Sequence, residues 1–228
     1  MKKYAIIVAG GSGTRFGSTL PKQFVPLGGV PVLMRTIKAF ADYDRDINIV
    51  VALPSEHLTL WGDLCALRNF DVPHKVVEGG ANRFESVRNA LFAVNETECL
   101  VAVHDGARPL VSRQVIAAGF ETAARCGTAI PTVPVTDSIR QLDRNGSHNV
   151  SRESLVAVQT PQTFRVEILK EAYTTAFSPL FTDDASVVEF RGTPVTLYPG
   201  DVNNIKITRP MDINTAEWIL SADSNEQA

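Results

Sequence analysis

Cysteine is scarce. Cys65, Cys99 and Cys126 are the only three in 228 residues, far apart and never in a CxxC pair. An odd, scattered set excludes a disulfide framework and a zinc knuckle, and it fits a reducing cytosol. Excess positive charge is missing too. With 22 basic and 25 acidic residues the net charge is −3, which argues against a nucleic acid or a membrane surface as a general electrostatic partner. No apolar run approaches the roughly 18 residues of a membrane span. The N-terminus enters an apolar strand almost at once, with no stretch that reads as a secretory leader, so a cytoplasmic location is expected. Internal repeats and low-complexity segments are absent as well.

The 44% hydrophobic content suffices for one sizeable core. A single domain over residues 1–228 is expected, with a polar tail, 223–228, frayed. Strand and helix signals alternate. "YAIIVA", "INIVVAL", "HKVVEGG", "CLVAVHDGARP" and "TAIPTVPV" read as strands, several of them continuous apolar runs of the kind buried on both faces. Between them, "PVLMRTIKAFADY" and "RFESVRNALFAV" space apolar residues at helical intervals. Ser55 and Ser112 stand where they can cap further helices. This rhythm over roughly 130 residues predicts βαβ units: an α/β, Rossmann-like, mostly parallel twisted sheet flanked by helices. Ligands of such sheets bind beyond the carboxyl ends of the strands. The segments to inspect are therefore Gly10–Lys22, Gly79–Ser86 and His104–Arg108.

The rhythm breaks near Val135. Residues 136–163 carry a turn signal, "RNGS", between alternating stretches, and predict a protruding β-hairpin arm. A lone hairpin is marginal in water, so a second subunit is the expected cover. Further on, "VEILKEAYTTAF" reads as a helix, Thr182 as the cap of "DDASVVEF", "PVTLYPG" and "NNIKIT" as strands, and "PMDINTAEWIL" as a last helix. Trp61 and Trp218 read as core or interface.

The richest stretch is "AIIVAGGSGTRFGSTLPKQF" at residues 5–24. Glycines directly after a first strand let backbone N–H groups approach an anion. The dinucleotide pattern fails, because Phe16 stands where its third glycine belongs. The Walker pattern fails, because Lys22 lies between Pro21 and Gln23. Arg15 and Lys22 are the informative additions. A site that only cradles a pyrophosphate can rely on backbone; one that transfers a phosphoryl or nucleotidyl group must stabilise growing charge on oxygen.

Those residues carry a resemblance. "AGGSGTRFGSTLPKQF" resembles the signature of nucleotidyltransferases that activate sugar and polyol phosphates. With "VEGGANRFESV", "VHDGARP", "PVTDSIR", "LVAVQTPQTF", "TDDASVVE" and "NNIKITRP", the chain is most similar to the 2-C-methyl-D-erythritol 4-phosphate cytidylyltransferases. The resemblance implies a nucleotide-diphospho-sugar transferase fold, the substrates CTP and a polyol phosphate, Mg²⁺ or another divalent cation held mainly by the CTP phosphates, and a homodimer formed through the arm. Ala9, Gly10, Gly11, Gly13 and Thr14, with Arg15 and Lys22, are implied to surround the triphosphate. Gly80 and Ser86 are implied to lie against cytosine, and Asp105 and Arg108 beside the ribose and the acceptor. Asp105 is also the one protein group suggested for the metal. Ser138, where the family more often has threonine, lies in the arm. Arg152 and Thr160 are implied to reach the acceptor's phosphate from the partner subunit, with Thr182 and Lys206 completing that pocket. Ala81 replaces an acidic residue common among relatives, and Gly106 an alanine, the latter with little expected consequence.

The chemistry suits what is present. A phosphate monoester with a second pKa of about 6 is already largely a dianion at neutral pH, so no general base is needed. No His–Asp or Ser–His arrangement stands out, and His104 reads as a hydrogen-bonding residue at the edge of the core. Asp105 admits two readings, a ligand group or a partner of Arg108. The nearest rival is a ribitol-5-phosphate cytidylyltransferase. A dinucleotide-binding oxidoreductase is opposed by the misplaced glycine and by "VVALPS", which lacks the acidic residue expected after strand two. A catalytically silent sensor would have lost Arg15 or Lys22.

Overall fold

The structure, a computed structural model, describes residues 1–10 and 20–226, with side chains to residue 222. The chain opens with β1 (Lys2–Val8). A 3₁₀ turn (Lys22–Phe24) and the two-residue strands β2 (Pro26–Leu27) and β3 (Val30–Pro31) lead into α1 (Val32–Tyr43). Then follow β4 (Asn48–Leu53), α2 (Leu58–Leu67), β5 (Lys75–Glu78), α3 (Arg83–Leu91), β6 (Cys99–Asp105), α4 (Arg113–Cys126) and β7 (Thr128–Pro134). The arm is β8 (Ile139–Asp143) and β9 (Gly146–Val150). The remainder is β10 (Val156–Val158), β11 (Gln162–Arg165), α5 (Val166–Ala172), α6 (Asp184–Phe190), β12 (Leu197–Pro199) and α7 (Pro210–Glu226).

The main sheet has the order β10-β7-β11-β6-β1-β4-β5, and off this path β12 also pairs with β7. Pairs β1–β4, β1–β6, β4–β5 and β7–β12 are parallel, while β10 and β11 run antiparallel. The expected mostly parallel α/β sheet is thus present. Period-two alternation sends Ala5, Ile7, Ile49, Val51, Leu53, Leu100 and Ala102 to one core, under α1, α2 and α4. Tyr4, Ile6, Val50, Ala52, Cys99, Val101 and Val103 go to the other, under α3, α5 and α6. A third, smaller cluster of Leu27, Val32, Ala107, Ile207 and Ala216 seats α7.

Several local expectations change. Ser112 caps α4 as expected, accepting from the Val115 N–H, and Gly127 ends the helix at φ +89°. Ser55 instead opens a 3₁₀ turn before α2 and makes no cap bond. At α6 the cap is Asp183, not Thr182; Asp183 and Ser186 satisfy each other's N–H groups in a capping box. The arm is shorter than residues 136–163, because β10 and β11 rejoin the main sheet. "NNIKIT" forms no strand. Trp61 is buried and Trp218 exposed. Helix α7 continues to Glu226, into the segment read as a tail.

Candidate active site

The carboxyl ends of β1, β5 and β6 converge on a cleft of about 180 Å³. Backbone ladders continue past the strand ends: Ala9 N–H to Ala52 O at 3.0 Å, Gly79 N–H to Leu53 O at 2.7 Å, and Gly106 N–H to Val8 O at 2.8 Å. Ala9, Gly10, Lys22, Gly80, Ser86 and Asp105, all singled out in the sequence, line it. Among the described residues, a Cβ on Gly10 would meet only Ser86 Oγ, at 3.6 Å. Gly80 has no such room, since a Cβ would fall 2.2 Å from Glu85 Cβ. Alanine at Gly106 would press on Ala9 at 3.0 Å and on Leu33 at 3.2 Å, a tighter fit than the sequence suggests.

Lys22 opens a 3₁₀ turn whose next two residues, Gln23 and Phe24, are buried. Gln23 Nε2 donates to Ala9 O at 3.0 Å, which ties the lysine's turn to the end of β1. Ser86 is buried, accepts from Gly80 N–H at 3.1 Å and donates to Asn82 O at 2.9 Å. Asn82 caps α3 by accepting from Glu85 N–H. This helix start therefore holds the Gly79–Ala81 loop against the cleft.

A second cleft, about 220 Å³, adjoins the first and contains Arg108, Thr160 and Thr182; Thr160 is buried in this chain's own cleft, not presented to a partner's as the resemblance implies. Arg83, Asp105 and Lys206 line both clefts. Asp105 Oδ2 lies 2.9 Å from Lys206 Nζ and 3.2 Å from Arg108 Nε, and Oδ1 lies 3.5 Å from Arg83 Nε. Burial by itself would raise the carboxyl's pKa, but the three cations hold it well below the usual carboxylate range. Asp105 thus pairs with Arg108, and it lines both clefts.

Behind Asp105 runs a buried network. Thr160 Oγ1 accepts from the Asp105 N–H at 3.1 Å and lies 3.0 Å from His104 Nδ1. His104 Nε2 lies 3.0 Å from Arg108 O. A carbonyl only accepts, so Nε2 carries the proton and Nδ1 accepts from the threonine hydroxyl. Asn204 Nδ2 donates to Thr160 O at 2.8 Å, and Arg108 Nη1 donates to Asn204 O at 2.8 Å. His104 is thus fully spent on structure. Burial drives its pKa down to about 4. In the unfolded chain it titrates near its ordinary 6.5, so the unfolded state binds more protons between about pH 6.5 and 4. Stability is lost as pH falls through that window, by about 2 kcal/mol at pH 5. Urea midpoints at pH 7 and pH 5 should show this loss, and His104→Gln should flatten it; an unchanged slope in the variant would assign the loss to other groups.

The sequence reading passed over Arg83. Its guanidinium grips Asp184 with Nη1–Oδ1 at 3.0 Å and Nη2–Oδ2 at 2.7 Å, and Tyr173 OH donates to the same carboxylate at 2.6 Å. The one available signal was its place as first residue of α3, inside "GGANRFES". Gly11, Gly13, Thr14 and Arg15 lie outside the described residues. Ser138 and Arg152 are exposed and line neither cleft; Arg152 Nη1 donates to Thr136 O at 2.5 Å, at the base of the arm.

A mostly parallel sheet with two adjoining, cation-lined clefts beyond its carboxyl edge defines the chain as a nucleotidyltransferase-type α/β protein. Residues 4–222 match the family model IspD, 2-C-methyl-D-erythritol 4-phosphate cytidylyltransferase. The chain is 50% identical to the enzyme of that name from Bacteroides thetaiotaomicron and 48% identical to that from Bacteroides fragilis. Each match covers 96% of this chain and 100% of the relative. The crystal structure of 2-C-methyl-D-erythritol 4-phosphate cytidylyltransferase from Thermus thermophilus superposes with a TM-score of 0.78 at 35% identity, covering 96% of this chain and 98% of that one. The Francisella tularensis structure gives 0.80 at 31%, covering 96% and 99%. The chain belongs to the 2-C-methyl-D-erythritol 4-phosphate cytidylyltransferase family.

Proposed function

We propose that this protein transfers CMP from CTP to 2-C-methyl-D-erythritol 4-phosphate, releasing pyrophosphate. The observation that carries the reading is the shared wall of Arg83, Asp105 and Lys206 between two adjoining clefts. Two anionic substrates, one per cleft, would meet at that wall. The nucleotide takes the cleft of Ala9, Gly10, Lys22, Gly80 and Ser86, with Gly11, Gly13, Thr14 and Arg15 completing its phosphate loop. The acceptor takes the cleft of Arg108, Thr160 and Thr182.

The acceptor's phosphate oxygen attacks the α-phosphorus in line. The new P–O bond forms as the bond to the β-phosphate oxygen breaks, and pyrophosphate leaves with that electron pair. Two like unit charges about 4 Å apart cost roughly 4 kcal/mol at an effective dielectric of 20. Lys22, Arg15 and Lys206 offset that repulsion, with Arg152 supplied from a partner's arm. Support for pairing comes from exposed Leu142 on the arm and exposed Val156 and Val158 on β10. A sedimentation mass of a single chain would refute it.

The described residues do not fit a protein-held metal. Both Asp105 oxygens already face cationic side chains, and no three His, Cys, Asp or Glu side chains among the described residues are grouped to hold an ion. A divalent cation is therefore proposed as a companion of the nucleotide's phosphates, and no step is assigned to it. No helix among the described residues is long and apolar enough to cross a membrane; cytoplasmic residence is part of the proposal.

The test is pyrophosphate release from each nucleoside triphosphate with Mg²⁺ and a panel of acceptors. Release is expected with CTP and 2-C-methyl-D-erythritol 4-phosphate. Release only with ribitol 5-phosphate would move the acceptor assignment, and tight NADH binding without release would overturn the reading.

A further inference from the structure

Asp105 is held by three cations of unequal freedom. Arg108 is almost buried and tied to Asn204 O. Arg83 is locked by its two-pronged grip on Asp184, which is fully buried and fixed in turn by Tyr173. Lys206 has the most exposed side chain of the three, 41% against 29% for Arg83 and 12% for Arg108, and it stands where the clefts join. To serve an incoming phosphate, its ammonium must leave or share Asp105 Oδ2. Leaving is cheap only if the carboxylate stays compensated. Arg108 and Arg83 can supply that, because each keeps a positive charge beside Asp105. The cluster's three cations and two carboxylates also leave one net positive charge facing the substrates.

Resting on the cytidylyl-transfer reading above, we infer that Arg83 is a positioning residue whose positive charge keeps Asp105 compensated while Lys206 passes to the acceptor's phosphate. Its pairing with Asp184 also joins α3, on the nucleotide side, to α6, on the acceptor side. The two residues are 101 positions apart in sequence.

The discriminating variant is the neutral pair Arg83→Gln with Asp184→Asn. It leaves no unpaired buried charge, so it should fold, and it keeps the cluster's net charge at one positive. Asp105 then grips Lys206 more tightly. The expected result is an acceptor KM raised about tenfold, with the CTP KM within about threefold of wild type. Arg83→Lys keeps a cation on Asp105 but loses the two-pronged grip, and should hold the acceptor KM within about threefold. A role in folding alone predicts the opposite order, because Arg83→Lys breaks the clamp without a substitute. The inference is overturned by a wild-type acceptor KM in the folded neutral pair. It is equally overturned if both KM values rise together, or if Arg83→Lys raises the acceptor KM tenfold; this last result can be read even if the neutral pair fails to fold. Wild-type protein that releases no pyrophosphate from CTP and the acceptor would instead sink the functional reading.

Discussion

Lys22→Ala is expected to lower kcat by about 10²-fold or more while leaving the fold intact. The turn that carries Lys22 is anchored by its neighbours. Phe24 is buried in the main core, and Gln23 bonds the end of β1. Loss of the ammonium therefore removes charge from the cleft without moving the backbone that lines it. Charge grows on the α-phosphate's equatorial oxygens and on the leaving pyrophosphate, so an ammonium fixed there binds the transition state better than the ground state. A contact of this kind contributes roughly 3 kcal/mol, which converts to about 10²-fold. Lys22→Arg should recover only part of the rate, because a planar fork does not reproduce a point charge on a short reach. Steady-state kinetics with saturating acceptor, beside a thermal melt, would decide it. A near-normal kcat in a folded Lys22→Ala protein removes Lys22 from the mechanism. Arg15 shares the same logic by sequence.

How far the sequence alone reached can be judged from particular segments. The buried strands were legible because a strand covered on both faces must be apolar throughout, and "AIIV" and "IVVAL" have few other ways to be placed. Their carboxyl ends then located Gly10, Gly80 and Asp105 without further information. "NNIKIT" misled because its alternation is real but has another cause. Ile207 is buried against Leu27, Val32 and Ala216, and its N–H bonds Ala107 O at 2.8 Å, while Lys206 between the two isoleucines faces the clefts. Alternation reports which side chains are covered, not which backbone is paired. Thr182 misled because two aspartates follow it; the three-residue spacing from Asp183 to Ser186 was the better signal. Asn82 to Glu85 has the same spacing. The Arg83–Asp184 grip had no local trace at all, since its halves lie in different βα units and only the packing of α3 and α6 on one face of the sheet joins them.

Lys206→Ala is expected to cut kcat/KM for the acceptor by about 10²- to 10³-fold, with the acceptor KM rising at least tenfold more than the CTP KM. In the described state its ammonium sits on Asp105 at 2.9 Å, a charge-assisted bond that sets its direction towards the junction of the clefts. Removing it has two consequences of the same sign. The acceptor's dianion loses its nearest mobile counter-charge, and the Asp105 carboxylate loses one of its three partners and turns part of its charge on the incoming phosphate. Like charges about 4 Å apart cost roughly 4 kcal/mol at intermediate dielectric, so full exposure of that carboxylate would account for nearly three orders of magnitude, and half of it for one to two. The substitution is mild for the fold, because Ile205 and Ile207 on either side keep the segment seated. The double variant Lys206→Ala with Asp105→Asn separates the two consequences. If repulsion by Asp105 contributes, neutralising it restores part of the acceptor's binding, and the acceptor KM falls back towards wild type although kcat stays low. An acceptor KM that is equal in the single and double variants would confine the effect to the lost ammonium, and an unchanged kcat/KM in Lys206→Ala would show that the acceptor's phosphate binds elsewhere.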